Sequence, residues 1–131
     1  MIRGFEQETQ PLTEYEENTL LPVIIAGLRT KQGQKAAVTN RTIVTRLNLR
    51  GFDINEARVR KIVNYIRTND LIPCLIATSS GYYIATSEEE LLRYEESLKG
   101  REDAIKAVRL AIARQRRIVY EDIHNRESEN F

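Results

Sequence analysis

Apolar residues between positions 55 and 69 recur at the spacing of an amphipathic helix. Val59, Ile62, Val63 and Ile66 fall on one stripe of this segment, and the opposite stripe is polar. Because one helical turn takes 3.6 residues, the pattern predicts a helix that buries one face and exposes the other. The exposed face would carry positive charge and hydrogen-bond donors, on Arg60, Lys61, Asn64, Arg67 and Thr68.

A shorter helix is predicted just before it, over residues 40–48. Its inward positions are Ile43, Val44 and Leu47, and its outward side includes Arg41 and Thr42. Gly51 would stop it. The residues that could cap the first turns are Thr39 or Asn40 for this helix, and Asp53 or Asn55 for the next.

A β-hairpin is predicted after the longer helix. Residues 75–78 and 82–85 read as strands, with Ser79, Ser80 and Gly81 turning between them. Successive strand residues face opposite sides, so one of Tyr82 and Tyr83 should pack inward while the other faces out. Helix, turn, helix and hairpin in this order predict a winged helix.

The N-terminal part supplies the remaining pieces of that fold. Residues 1–12 lack an apolar period and are expected to form a flexible arm. Thr13 opens a helix that runs to about Arg29, with a break or bend expected at Pro22. Residues 36–38 are short enough to be the small first strand of a winged-helix sheet.

The C-terminal part returns to a helical pattern. Ser87 and Glu90 match a capping box, and a helix is predicted over residues 87–117. Its heptad positions form a weak coiled-coil seam, because one set is apolar and the companion set is only half apolar. Two alternatives stay open: an unbroken helix, or two antiparallel helices that cover the core with a bend at Gly100. The apolar heptad set is Leu91, Leu98, Ile105 and Ile112, and the companion set is Tyr94, Arg101, Val108 and Gln115.

The predicted fold is therefore α+β and mostly α: a winged helix with a three-helix core and a small hairpin wing, plus a C-terminal helical extension. The expected divisions are a flexible arm (1–12), a winged-helix domain (13–86), a helical extension (87–117) that could dimerise or bind a partner, and a flexible tail (118–131). A chain of 131 residues is long enough for one compact core.

Charge is distributed unevenly, although the net charge is only +1. Residues 29–70 hold ten basic and three acidic side chains, a net of +7, whereas residues 1–28 sum to −4, residues 71–99 to −3 and residues 100–131 to +1. The excess positive charge falls on the two central helices, which is the electrostatic pattern that phosphate binding requires. A basic solvated face is the alternative interpretation.

Several classes of function find no support. The single cysteine, Cys74, cannot form an internal disulfide and is expected to be a buried thiol in a reducing compartment. The longest apolar stretch, residues 20–28, is far shorter than the roughly 20 residues of a membrane span. The single histidine, His124, lies in the predicted tail, so we expect no catalytic residues and no metal site, and no phosphate-binding loop or dinucleotide fingerprint is present. The expectation is a soluble, non-enzymatic protein without a cofactor.

Two stretches, VTNRTIVTRLNL and NEARVRKIVNYIRTNDLIPCLIATSSGYYIATSEEEL, resemble small winged-helix proteins of bacteriophages and prophages. The resemblance covers about residues 36–115 and depends on the order of elements and on the hairpin. It implies DNA binding in phage replication or transcription regulation, sometimes through replication enzymes, in the cytoplasm of a bacterial host.

The predicted function is binding of double-stranded DNA, with the longer helix in the major groove. Arg60, Lys61 and Asn64 could read base edges, whereas Arg41, Arg46 and Arg67 would contact phosphates and Thr42 would offer a hydroxyl and nearby amides. The uncharged hairpin tip would make only limited contact with the DNA backbone. The alternative is a protein-interaction module, in which the winged helix is a scaffold and the C-terminal helix recruits a replication or transcription protein or forms a homodimer. The full predicted contact set is Arg41, Thr42, Arg46, Arg58, Arg60, Lys61, Asn64, Arg67, Thr68, Ser79 and Ser80.

Overall fold

The structure, a computed structural model, describes the backbone of residues 9–129 and the side chains of residues 9–121. It is mostly helical and contains a small antiparallel hairpin of two strands, so its class is α+β as predicted. In chain order the elements are a π-helical turn (Glu16–Leu20), α1 (Leu21–Leu28), a 3-10 turn (Gln34–Ala36), α2 (Asn40–Leu49), α3 (Glu56–Thr68), β1 (Leu75–Thr78), β2 (Gly81–Ile84) and α4 (Glu88–Glu129).

The break predicted at Pro22 takes the form of a change in helix type. Pro22 lies in the first turn of α1, where its missing N–H costs least. The residues just before α1 form the wider π-helical turn. Such a turn accommodates an interruption of the usual hydrogen-bond ladder without ending the helix, so the chain continues in one direction from Thr13 to Leu28.

The two central helices begin at caps chosen from the predicted candidates. Thr39 Oγ1 accepts a hydrogen bond from the Thr42 amide and caps α2. Asn55 Oδ1 accepts one from the Arg58 amide and caps α3. Gly51, at φ +88°, follows the end of α2 in a backbone conformation that favours glycine. These local signals set the helix bounds within one or two residues of the predicted ones.

The hairpin pairs β1 with β2 from Leu75 opposite Ile84 to Thr78 opposite Gly81. Val38 extends this small sheet, because its N–H donates to the Tyr82 carbonyl (3.0 Å) and its carbonyl accepts from the Tyr82 N–H (2.8 Å). The predicted strand over residues 36–38 is therefore reduced to a bridge at one residue, preceded by the 3-10 turn.

Two predictions about the hairpin region are wrong. Tyr82 and Tyr83 are both buried, at 8% and 4% exposure, although they face opposite sides of β2. Tyr82 packs into the main core, and Tyr83 is covered because its hydroxyl meets Glu90 in the first turn of α4. Cys74 is exposed rather than buried, since it occupies a turn before β1 at φ +68°.

The hydrophobic core lies among α1, α2, α3 and the hairpin. The largest fully buried side chains come from the π-helical turn, α1 and α3, and the inner stripe of α3 has no exposure at all. Burial of such side chains supplies the main stabilisation of the fold. The fully buried set is Leu20, Leu28, Val59, Ile62, Val63 and Ile66.

Contacts divide the chain into two units, Met1–Leu91 and Leu92–Phe131. Ser87 Oγ caps α4 by accepting from the Glu90 amide (3.2 Å), as the capping box predicts. The helix then runs through Gly100 without a break, which excludes the alternative of two antiparallel helices. It continues to Glu129, beyond the predicted end at residue 117, so the described part of the predicted tail is helical.

Candidate nucleic-acid interface

The outer face of α3 is the centre of the candidate interface. The inner stripe of the helix is buried in the core, which fixes the rotation of the helix about its axis. The predicted polar residues therefore point away from the core: Arg60, Asn64 and Thr68 are exposed, and Lys61 and Arg67 are half-buried. Long basic side chains of this kind pack their stems along the surface and keep their charged ends in water.

Local hydrogen bonds order the C-terminal part of this face. Arg67 Nη1 donates to Asn64 Oδ1 (3.3 Å), and Thr68 Oγ1 donates to the Asn64 carbonyl (2.8 Å). Asn64 is thus oriented by a neighbour one turn further along the helix. An asparagine on a groove-facing helix can pair with adenine through its amide, and an amide oxygen can accept two hydrogen bonds, so the bond from Arg67 does not exclude this contact.

Arg58 has a different role from the predicted one. Its Nε donates to Glu16 Oε2 (2.7 Å), and its Nη2 donates to Glu16 Oε1 (2.6 Å) and to the Pro11 carbonyl (2.9 Å). Its Nη1 donates to the Gln10 carbonyl (3.0 Å). These bonds use the guanidinium inside the protein, where it holds residues 10–16 against the start of α3. The predicted DNA contact of Arg58 is therefore replaced by a structural contact.

Glu16 is the buried partner that the sequence analysis did not identify. It is 5% exposed, and its Oε1 also accepts from the Thr13 amide (2.8 Å), while Thr13 Oγ1 accepts from the Glu16 amide (3.1 Å). This reciprocal pair is a capping box, whose Thr-x-x-Glu spacing is visible in the sequence. The hydrogen bonds from Arg58 hold the pKa of the Glu16 carboxyl below its ordinary value against the opposing effect of burial, and the same contact raises the pKa of Arg58.

The outer side of α2 carries the predicted phosphate contacts. Arg41 and Arg46 are exposed, and α2 packs against α3, so their charges lie on a helix next to the α3 face. Thr42 differs in part from its prediction: its amide donates to Thr39 Oγ1 (3.1 Å), and its hydroxyl accepts from the Thr39 hydroxyl (2.9 Å). The cap therefore uses the Thr42 amide, and only its hydroxyl remains a candidate phosphate contact.

The hairpin tip lies close to the start of α2. A Cβ atom added to Gly81 would come within 2.5 Å of the Val38 carbonyl oxygen and 2.9 Å of the Thr39 nitrogen. Ser80 Oγ accepts from Gln34 Nε2 (3.1 Å), which ties the tip to the 3-10 turn, and Ser79 is exposed. The structure thus brings Gly81 next to Val38 and the capping residue Thr39 of α2, and Ser80 next to the 3-10 turn.

Asn40 connects the elements that carry the candidate contacts. Its Nδ2 donates to the Glu56 carbonyl at the start of α3 (2.9 Å), and its Oδ1 accepts from the Tyr82 hydroxyl on β2 (3.0 Å). One side chain therefore links α2, α3 and the hairpin. The sequence presented Asn40 only as a possible cap, because both partners are remote in the chain.

The arrangement concentrates cations on two packed helices that belong to the segment of net charge +7. Among the described residues, none of the helices has the length and apolar character needed to cross a membrane. Comparisons of the chain with protein-family models, with curated proteins and with solved structures found no match.

Proposed function

We propose that residues 13–86 form a winged-helix domain that binds double-stranded DNA. The observation that carries the proposal is the outer face of α3, which presents Arg60, Lys61, Asn64 and Arg67 to the surface while the opposite face is fixed in the core. The order of helices and hairpin, with Val38 pairing beside β2, supports the winged-helix assignment. The resemblance to phage proteins would place this activity in the replication or gene regulation of a mobile element.

In the proposed complex α3 lies in the major groove. Arg60 and Lys61 could donate to guanine O6 and N7, and Asn64 could pair with adenine. Arg41, Arg46 and Arg67 would contact phosphates on either side of the groove, and the Thr42 hydroxyl would add one hydrogen bond. The uncharged tip at Ser79 and Ser80 limits the wing to backbone contacts.

The test is fluorescence anisotropy of a labelled random duplex, titrated with the protein at several salt concentrations. We expect dissociation constants in the range of about 10⁻⁴ to 10⁻⁶ M that weaken steeply with salt, as for other non-specific complexes. The double variant Arg60→Ala, Lys61→Ala should weaken binding and lower the slope of log K against log salt by about one to two, because on a random duplex these two cations neutralise phosphates rather than read bases.

The matched control removes two cations from α4 instead. Lys106→Ala with Arg114→Ala gives the same change in net charge at exposed positions of the second unit. It should leave affinity and slope close to those of the unmodified protein. An equal loss in the control would assign the binding to the basic part of α4, and absence of salt-sensitive binding at low salt would refute the proposal.

A second candidate function is protein association through α4. The observation that favours it is the exposure of large apolar side chains along that helix, including Ile105 at 69% and Val108 at 63%. Exposed apolar surface of this extent marks interaction sites. Association and DNA binding use different parts of the chain and are compatible with each other.

A further inference from the structure

Most of the large apolar side chains that the structure describes on α4 are exposed. Helical stability in proteins comes mainly from packing an apolar face, so such a helix is expected to gain stability from a partner. Ala104, Ile105, Val108 and Arg109 line a shallow surface depression near the middle of its described side chains. The large apolar residues that are at least 40% exposed on α4 are Leu92, Leu98, Ile105, Val108, Leu110, Ile112, Ile118, Val119 and Tyr120.

Charge is segregated along the same helix. Residues 88–103 hold seven acidic and three basic side chains, whereas residues 104–120 hold five basic side chains and no acidic one. Two copies paired in parallel would align acidic with acidic and basic with basic segments. Two copies paired antiparallel would align opposite charges, which is the complementarity that selects a partner and its direction.

The apolar seam has a matching antiparallel register. In an antiparallel coiled coil, each residue at heptad position a faces a residue at position d of the other helix. Ile105 is at a and Val108 is at d, so the two residues can face each other twice, once on each side of the centre. Further out, Ile112 then faces Arg101 of the second copy, and the layers at both ends mix apolar and polar side chains.

The charges beside the seam fit the same register. Between residues 95 and 118 of α4, the e positions are Glu95, Glu102, Arg109 and Arg116. With Ile105 opposite Val108, geometry sets Glu95 beside Arg116 of the second copy and Glu102 beside Arg109 of the second copy. The two-fold axis repeats both pairs, so each of these four e residues meets an opposite charge. Over the same span the opposite flank is uncharged and consists of Ser97, Ala104, Ala111 and Ile118.

Neighbouring registers lose this match. A shift of one heptad in one direction sets Glu102 against Glu102 of the second copy, and a shift in the other direction sets Arg109 against Arg109 of the second copy. A parallel pair would stack Arg101 on Arg101 of the second copy inside the seam. Like charges in contact are destabilising, so the sequence pattern favours one direction and one register.

We propose that α4 binds α4 of a second copy of this chain as an antiparallel two-stranded coiled coil, in the register that sets Ile105 opposite Val108. The charge pattern identifies the occupant of the apolar surface as this same chain, because its basic segment, residues 104–120, complements its own acidic segment, residues 88–103. The pairing is independent of DNA binding and stands if that activity is absent.

The first experiment measures mass by sedimentation equilibrium across the micromolar range. The unmodified chain should be a dimer, and Ile105→Glu should be a helical monomer because a carboxylate would enter the central layer. The matched control is Leu110→Glu, which adds the same charge at an exposed position on the outer side and should remain dimeric. A monomeric unmodified chain, a larger oligomer, or equal effects of both variants would overturn the proposal.

A charge-exchange experiment tests the register. Glu95→Arg with Glu102→Arg converts four attractive pairs into four repulsive ones and should raise the dimer dissociation constant at least about tenfold. Adding Arg109→Glu and Arg116→Glu restores every pair with reversed signs and should return the constant to near its original value. Failure of the four-residue variant to recover the dimer would overturn the register.

Spin-label distances test the direction. In a Cys74→Ser background, a nitroxide at Glu96→Cys should lie about 30 Å along the axis from its counterpart, whereas one at Ala107→Cys should lie within about 2 Å of it along the axis. A parallel pair would give short axial separations at both positions. A short distance at position 96 would therefore overturn the antiparallel arrangement.

Discussion

Removal of the Arg58 guanidinium should destabilise the first unit more than removal of an exposed arginine such as Arg41. Arg58 and Glu16 have side-chain exposures of 14% and 7%, and the guanidinium also binds the carbonyls of Gln10 and Pro11. Arg58→Met keeps the aliphatic stem but leaves the Glu16 carboxylate buried without its counter-ion. Breaking a buried pair in this way costs about 3 to 5 kcal/mol, a large part of the stability of a small domain.

Urea unfolding followed by near-ultraviolet circular dichroism measures this loss, because Tyr82 and Tyr83 are buried in the same unit. With a typical slope of about 1 to 3 kcal/mol per molar urea, the midpoint should fall by roughly 2 M. The matched control, Arg41→Met, removes an exposed arginine from α2 and should change stability by less than about 0.5 kcal/mol. The double variant Glu16→Gln, Arg58→Met should recover part of the loss, since no charge is then buried alone.

The loss of stability caused by Arg58→Met should also depend on pH. Arg58 lowers the folded-state pKa of Glu16, so the pair stabilises the protein fully above the unfolded-state value of about 4.3 and loses this effect as the pH falls through the folded-state pKa. The difference between the unmodified protein and Arg58→Met should therefore shrink in acid. A loss at neutral pH no larger than that of the control, or a loss that stays constant into acid, would refute this account of the contact.

Other changes test the turn geometry and the hairpin. Gly81→Ala should destabilise by at least about 2 kcal/mol in urea unfolding, because its φ is +116° and the added Cβ would meet the Val38 carbonyl oxygen. Gly100→Ala, with open space around it, should add about 1 kcal/mol of stability to α4, measured as higher helicity and a higher melting temperature. Cys74→Gly should stabilise by up to about 1 kcal/mol, measured as a higher urea midpoint, because Cys74 is exposed at φ +68°; no gain would argue against strain there. Burial, and then the charge of Glu90, raise the pKa of Tyr83. The free energy of unfolding should therefore fall as the pH rises above about 10, the pKa of tyrosine in the unfolded state. Tyr83→Phe should reduce this fall.

Local patterns in the sequence determined where the elements lie. The periodicity of α2 and α3, the caps at Thr39 and Asn55, and the turn at Gly51 predicted the central helices within one or two residues. These features depend on side chains within one or two turns of each other, so the sequence contains them directly. The same reasoning placed the polar face of α3 at the surface.

The tertiary structure decided what several of those side chains contact. Arg58 appeared to be one more cation on a basic helix, and its partner Glu16 lies 42 positions earlier in the chain. Asn40 meets Glu56 and Tyr82 at separations of 16 and 42 positions. A pattern with a period of two or 3.6 residues contains no information about such pairs, because they form only when separate elements pack together.

The burial of β2 and of α4 shows the same difference between what the local sequence pattern determines and what tertiary packing decides. Alternation along the strand correctly put Tyr82 and Tyr83 on opposite faces, but the first turn of α4 covers the second face, so both rings are buried. Conversely, the heptad pattern of α4 gave its apolar seam, and Leu98, Ile105, Val108 and Ile112 of that seam are exposed along the continuous helix. The sequence by itself determines which face of an element is apolar, and packing between elements decides what covers that face, because burial is a property of three-dimensional proximity.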